Sequence, residues 1–284
     1  MRLQSLPAPL GHCHCSNRSR STLLPVTEVA LGEVLTRLNG LQKNSEHGRV
    51  GGRTNPFMAN DQEKEAAARA SLRFVREGNI VGLGTGSTAA YAVRFLGERV
   101  RSGLKIRGIP TSVQTKELAV GLGIPLTTLD EFQQIDVTID GTDEVDPGLQ
   151  LIKGGGGALL REKIVASASR QLVIIADSTK QVPTLGKFPL PVEVIPFAQA
   201  LVAKKIAALG ASVKIRRRAD GNLFASDEGH HILDCSFGRI SAPAALAREL
   251  ESMPGVVEHG LFIDMASVVL LAKGTDVKEL QHVR

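Results

Sequence analysis

The chain has 284 residues, 43% of them hydrophobic, with 29 Gly and 13 Pro, enough for a substantial core in one large or two modest domains. No apolar run approaches the ~18 residues of a membrane span, and with no Trp, one Tyr and nine Phe there is little on which nucleic-acid bases could stack. The net charge of +5 marks no nucleic-acid-binding face: residues 1–59 hold seven Lys and Arg against three acids, a net of +4, which leaves about +1 for the remainder.

Residues 1–59 lack the strand–helix alternation seen later and are read as a disordered leader. They are rich in Arg, Ser and Leu and poor in acids, as transit peptides are, but have no signal-peptide core. Patterning begins directly after Met58, which favours Met58 as the start and the leader as an extension of the reading frame. Cys13-His14-Cys15 has no second ligand pair at zinc-site spacing, so no metal is assigned there. Together with Cys235, these cysteines make no disulfide framework, and a reducing compartment fits. The expected location is the cytoplasm, or a plastid if residues 1–57 are a transit peptide.

Asn60 or Asp61 can cap a helix to about Arg76, with Gly78 ending it. Residues 80–84 read as a buried strand, and Thr85-Gly-Ser-Thr88 turns into a helix ending near Gly103. A strand over 104–109, a helix over 115–122 and a strand over 136–140 follow. Residues 149–152 lead into four glycines and a helix over 158–170, and 172–176 is an apolar run closed by Asp177-Ser-Thr-Lys180. This alternation predicts an α/β fold: a mostly parallel, Rossmann-like sheet with helices on both faces. In such sheets ligands collect beyond the carboxyl ends of the strands, where the turns after Gly84, Ile139, Ile152 and Ala176 converge.

Prolines 183, 189, 191 and 196 then punctuate a connector. Beyond it come a helix over 197–209, a strand over 212–217, a hairpin through Asp227-Glu-Gly229, a helix over 243–253 and a strand near Val256: a small α+β unit of ferredoxin-like type. A strand over 267–272 and a short helix from Thr275 return to the first unit. The expected domains are 60–187 completed by 262–284, and 188–261.

The segment Asp140-Gly-Thr-Asp-Glu144, then Lys153-Gly-Gly-Gly-Gly157 and Glu162, carries the chemistry. Gly82-Leu-Gly-Thr-Gly86 between strand and helix suits an anion, but no acid follows at the next strand, where Lys105-Ile-Arg107 stands; a phosphate on Ser87 and Thr88 is favoured over a dinucleotide. Thr138 occupies the place where an aspartyl-phosphate phosphatase would carry its nucleophile, which argues against a phosphoenzyme. Asp136, Glu144 and Asp146 are read as solvating a turn; the acids do not follow EF-hand spacing, and no metal is assigned. Four successive glycines are costly for a plain turn and suit a loop lying against a ligand. Glu162 alone reads as a helix-terminus acid; beside Lys153 and Asp140 it reads as a general base. His230 and His231 point to opposite faces of a strand, the Lys214–Arg218 run is a solvated edge, and Cys235 belongs to the core.

From about Asn60 onward, these blocks resemble the type A ribose-5-phosphate isomerases, with Arg161-Glu-Lys163 and Leu185-Gly-Lys-Phe-Pro-Leu-Pro-Val-Glu-Val-Ile-Pro196 adding to the likeness. Thr142 replaces an alanine usual in the acidic turn. The resemblance implies cofactor- and metal-free interconversion of ribose 5-phosphate and ribulose 5-phosphate through an enediolate, a step of the pentose phosphate pathway, by a homodimer or homotetramer. It implies Glu162 as the proton-shuttling base, Asp140 as the acid assisting ring opening, and Lys153 as the cation at the enediolate oxygen. Thr85, Gly86, Ser87 and Thr88 would hold the phosphate. Gly141, Thr142, Asp143, Gly154, Gly155, Gly156, Lys180 and Lys64 would complete the substrate site. The alternatives are a sugar-phosphate sensor without turnover, for which the leader offers no DNA-binding helix pair, and a coenzyme A transferase of related fold.

Overall fold

The computed structural model describes residues 56–281, with side chains from Asn60 on. The expectations for the leader, Cys13 and Cys15 included, lie outside the described residues.

Five parallel strands and one antiparallel edge strand form the main sheet. Helix α1 spans Pro56–Ser71 and so begins before the expected cap at Asn60, with proline in the first turn where its missing N–H costs nothing. Strand β1 (Ile80–Leu83) leads to α2 (Ser87–Arg101), β2 (Arg107–Pro110) to α3 (Val113–Gly121), and β3 (Val137–Gly141) follows. Two short strands, β4 (Glu144–Val145) and β5 (Leu151–Ile152), precede α4 (Leu159–Ser167) and β6 (Leu172–Asp177). After the second unit come β11 (Leu261–Phe262), β12 (Val268–Lys273) and β13 (Asp276–Leu280). The order across the main sheet is β13-β12-β6-β3-β1-β2.

Side chains alternate across each strand, so neighbouring residues serve opposite layers. Val81, Leu83, Ile139, Val173, Ile175 and Leu270 face one core, beneath α1 and α2. Ile174 and Val269 face another, with Leu151 and Phe262. Such strands, buried on both sides, are the apolar runs expected of a parallel sheet.

The second unit contains β7 (Leu190–Val194), α5 (Gln199–Ala208), β8 (Ser212–Ile215), β9 (His231–Ser236), α6 (Pro243–Glu251) and β10 (Val256–His259). Its sheet order β10-β7-β9-β8 is antiparallel throughout, a β-α-β-β-α-β arrangement of ferredoxin-like type. Val192, Val202, Ile206, Leu233 and Leu250 fill its core. Cys235 is fully buried among them, and burial with Asp234 nearby pushes its thiol up to about 12, which suits a core residue.

Two expectations are corrected. The terminal element is β13, not a helix: Lys273 pairs with Asp276 across a two-residue turn in which Gly274 takes a positive φ of 61°. Asp276–Leu280 contains good helix formers, but packing of Val277 and Leu280 on the sheet decides its form. Strand β5 also stands outside the main sheet, in a three-stranded antiparallel ladder β11-β5-β4. That ladder delivers Lys153, whose N–H donates to Gly260 O.

Candidate active site

Asp140 ends β3, Lys153 follows β5 and Glu162 lies one turn into α4; these three elements converge on one point. Lys153 Nζ is 3.0 Å from Asp140 Oδ2, 3.3 Å from Glu162 Oε2 and donates to Gly141 O at 2.5 Å. All three side chains are buried. Asp140 Oδ1 also accepts from the N–H groups of Gly141 (2.7 Å) and Thr85 (3.1 Å). Glu162 Oε2 has no well-directed donor among the described residues, so its contact with Lys153 is Coulombic.

The electrostatics follow from two acids and one cation held away from water. Burial pushes the Glu162 carboxyl up to about 8; Lys153 opposes this, and the charges of Asp140 and Asp143 reinforce it. Burial raises Asp140 too, against Lys153 and the two amides. The two amide donors and Lys153 favour charge on Asp140 while burial opposes it, so the two carboxyls titrate as a pair across Lys153. Burial works against the Lys153 ammonium, but Asp140 and Glu162 outweigh it and its pKa lies above the usual lysine value.

An open cleft of about 430 Å³ lies over this centre, lined by residues 85–88, 141–143 and 153–156 with Glu162 and Lys180. Asp140 is not at its surface but behind Lys153. Lys64 is not in its lining either; its Nζ pairs with Asp61 at 3.4 Å. Lys180 does reach the cleft, from the 3-10 turn Ser178–Lys180 after β6.

Several expected contact residues turn their side chains inward. Thr85 Oγ1 joins Thr111 Oγ1 (2.7 Å), Ser112 Oγ (2.8 Å) and Thr115 Oγ1 (3.2 Å) in a buried hydroxyl network. The Thr142 hydroxyl donates to the carbonyls of Glu144 (2.7 Å) and Ile152 (2.9 Å), which ties β3 to β5. Asp143 Oδ2 accepts from Gly155 N at 2.7 Å, and a Cβ on Gly155 would stand 2.5 Å from Asp143 Oδ1, so a larger residue there would displace the Asp143 carboxylate.

Glu144 was expected to solvate a turn. It is buried, and its carboxylate accepts from the N–H groups of Gly186 (2.7 Å) and Phe188 (2.5 Å), anchoring the connector to the second unit. Arg216 was assigned to a solvated edge; β8 is an edge strand, but the Arg216 guanidinium is largely buried and reaches the glycine loop. Thr138 is buried with its Oγ1 on Ser169 Oγ, a structural role. His230 and His231 do bond separate partners, Glu193 and Gln199. Among the described residues no three His, Cys, Asp or Glu side chains come together as metal ligands, and no helix is long and apolar enough to cross a membrane.

Sequence reasoning also missed Glu63. From α1 it accepts from Ser178 N (2.9 Å), Ser178 Oγ (2.8 Å) and Gly274 N (2.9 Å), holding the turn that carries Lys180. Thr111, Ser112 and Thr115 were missed although they open another strand-to-helix turn on the same side of the sheet. The residues flanking Glu162 are tied down: Arg161 pairs with Glu228 (2.6 Å) and Lys163 with Glu258 (2.6 Å).

This arrangement can hold an anionic, hydroxylated ligand over a buried acid of raised pKa and a fixed cation. The family model described as ribose 5-phosphate isomerase A (phosphoriboisomerase A) matches residues 107–276. Ribose-5-phosphate isomerase A of Bradyrhizobium diazoefficiens is 53% identical over 235 residues, 79% of this chain and 98% of the relative. That of Parvibaculum lavamentivorans is 55% identical over 229 residues, 78% of this chain and 99% of the relative. Among solved structures, a D-ribose-5-phosphate isomerase in complex with phospho-erythronic acid superposes with a TM-score of 0.77 at 39% identity, covering 78% of this chain and 99% of that one. The Methanocaldococcus jannaschii ribose 5-phosphate isomerase A gives 0.74 at 41%, covering 78% and 98%. With a matched model spanning more than half of its residues and close relatives spanning nearly their whole length, the chain belongs to the ribose 5-phosphate isomerase A family.

Proposed function

We propose that Glu162 is the base, and Lys153 the electrostatic sink, of an aldose–ketose isomerisation between ribose 5-phosphate and ribulose 5-phosphate in the pentose phosphate pathway. The activity is that of the family; the assignment of roles rests on one observation, the buried contact of Lys153 with both Asp140 and Glu162. In the open-chain aldose, Glu162 takes the C2 proton, the C–H electron pair becomes the C1=C2 bond, and negative charge moves onto O1. Moving the O2 proton to O1 and returning the Glu162 proton to C1 yields the ketose. A carbon acid beside a carbonyl needs one positioned base and a fixed positive charge for the oxyanion. Lys153 donates to Gly141 O and lies 3.0 Å from Asp140 and 3.3 Å from Glu162, which fixes its charge at the floor of the cleft beside the substrate oxygen. Asp140, one contact further in, keeps Lys153 charged and relays protons with it during ring opening and exchange between O1 and O2. The amides and hydroxyls of residues 86–88, at the start of α2, and Lys180 hold the phosphate. No cofactor enters this scheme.

Purified protein should form ketopentose phosphate from ribose 5-phosphate with EDTA present; no turnover, or strict metal dependence, would overturn the reading. Glu162→Gln should lower kcat by about 10²–10⁴-fold in a folded protein, and near-normal kcat would remove Glu162 as the base.

Three coarser features belong to the same proposal. Exposed apolar side chains, Phe197 fully and Leu201 by half, support a homodimer or homotetramer, and a monomeric mass in solution would refute it. Cys235, buried and without a disulfide partner among the described residues, supports the reducing cytoplasm, to be checked by fractionation of the source cells. The ferredoxin-like order of residues 188–261 supports their being a separate domain, which limited proteolysis near residue 188 would test.

A further inference from the structure

The segment joining β8 to β9, residues 216–230, projects from the small sheet onto the glycine loop. Arg216 begins it. One edge of its guanidinium is held by Asp234, through Nε to Oδ2 at 3.0 Å and Nη2 to Oδ1. From the other edge, Nη1 donates to the carbonyls of Gly154 (2.9 Å) and Gly155 (3.2 Å). The planar fork of arginine permits this double engagement, which a lysine cannot reproduce. The segment is fastened around it: Asp227 Oδ2 accepts from Val113 N at 2.8 Å, Glu228 pairs with Arg161, and the Phe224 ring lies against Gly157.

The peptide unit between Gly154 and Gly155 is thus gripped at both ends, its carbonyl by Arg216 and its N–H by Asp143. The next unit, between Gly155 and Gly156, has its carbonyl on Arg216, while its N–H has no acceptor among the described residues and belongs to the cleft wall. A cation on a carbonyl polarises the whole peptide and strengthens its N–H as a donor. We infer that Arg216 is a positioning residue for the isomerisation: it fixes the Gly155–Gly156 peptide so that the Gly156 N–H is presented to an oxygen of the bound sugar phosphate. The inference rests on the activity proposed above. Arg216 is not itself in the cleft lining, so it acts through the loop.

The test compares wild type, Arg216→Ala and Arg216→Lys in steady-state turnover of ribose 5-phosphate and in calorimetric binding of phospho-erythronic acid. Both variants should raise KM and weaken binding by about 10- to 100-fold, the scale of a misplaced contact group. Methylguanidinium added to Arg216→Ala should restore part of the loss, and the pH midpoint set by Glu162 should stay where it is in wild type. A tether with no bearing on the site would lower thermal stability while leaving KM, binding and their rescue unmoved, and that result would overturn the inference. Should Arg216→Ala fail to fold, Arg216→Lys carries the test, since it keeps the charge but not the fork; wild-type KM and binding in that variant would equally overturn it. Wild-type protein without turnover would count against the activity, and the binding comparison would still decide the role of Arg216.

Discussion

Lys153 Nζ lies 3.0 Å from Asp140 Oδ2, with both side chains almost wholly shielded from solvent. An ion pair this deep is weak evidence of stabilisation, because desolvation offsets much of its Coulombic gain. Removing only the cation is different, since it strands two buried carboxylates: Lys153→Met should cost about 3–5 kcal/mol. Without the ammonium, both carboxyls hold protons more tightly in the folded than in the unfolded chain. Stability is then lost as pH rises from the ordinary carboxylate range toward 8 and beyond. Unfolding of wild type and Lys153→Met at pH 5 and pH 8 should show the larger gap at pH 8, and equal gaps would contradict the coupling.

The raised Glu162 carboxyl sets a pH dependence for the reaction. A base must be ionised to accept the C2 proton, so kcat/KM should climb with pH through a midpoint near 8 and level off above it. Asp143 is one cause of that elevation through its charge. Asp143→Asn keeps an acceptor for Gly155 N but removes the charge, and should move the limb to lower pH. An unmoved limb would mean that burial and Asp140 alone set it.

Glu63 offers a test away from the reacting atoms. Burial opposes its ionisation, but the amides of Gly274 and Ser178, the Ser178 hydroxyl and the Lys273 charge hold its carboxyl below the usual value. Glu63→Ala leaves those donors unpaired and should cost about 1–3 kcal/mol near neutral pH. Because the folded-state pKa is depressed, the stabilisation exists above the ordinary glutamate range and is lost as pH falls through the folded value. Denaturant curves should therefore converge for the two proteins in acid. The Lys180 turn should loosen as well, raising KM with little change in kcat.

Much of this was legible in the sequence. The apolar runs at Ile80–Leu83, Val137–Gly141 and Leu172–Asp177 are short, β-branched and buried on both faces, which is what a parallel sheet requires. The acidic turn, the glycine run and Glu162 could be read as one site because each follows an element that had to end on the same side of that sheet. What escaped was set by tertiary partners. Nothing local distinguishes the helical surface glutamate at 63 from its neighbour Glu65; only contact with Ser178 and Gly274, more than a hundred residues away, gives it a role. Arg216 looked like edge charge because its two carbonyl partners lie in another sheet's loop, and β13 looked helical because its packing is not written in its own residues.

The closest fit around the centre is between β1 and β3, and it makes the sharpest prediction. A Cβ on Gly84 would stand 2.2 Å from Asp140 Oδ1 and 2.5 Å from Asp140 Cα. The second of these is backbone, so a rotamer change cannot relieve it. The strands cannot part without losing the bond from Gly84 N to Ile139 O at 3.0 Å. Gly84→Ala should therefore shift Asp140, and with it Lys153 and the charge beside Glu162, lowering kcat by about 10²-fold, as misplacement of catalytic groups by about 1 Å does. Overpacking should add a stability cost of about 1–3 kcal/mol. Gly141→Ala is the matched control one residue beyond Asp140: its Cβ would meet only Thr85 O, at 3.8 Å, an ordinary contact. It should cost much less in stability. Near-normal kcat in Gly84→Ala, or a stability loss no larger than that of Gly141→Ala, would show that the close approach of β1 to Asp140 does not govern the site.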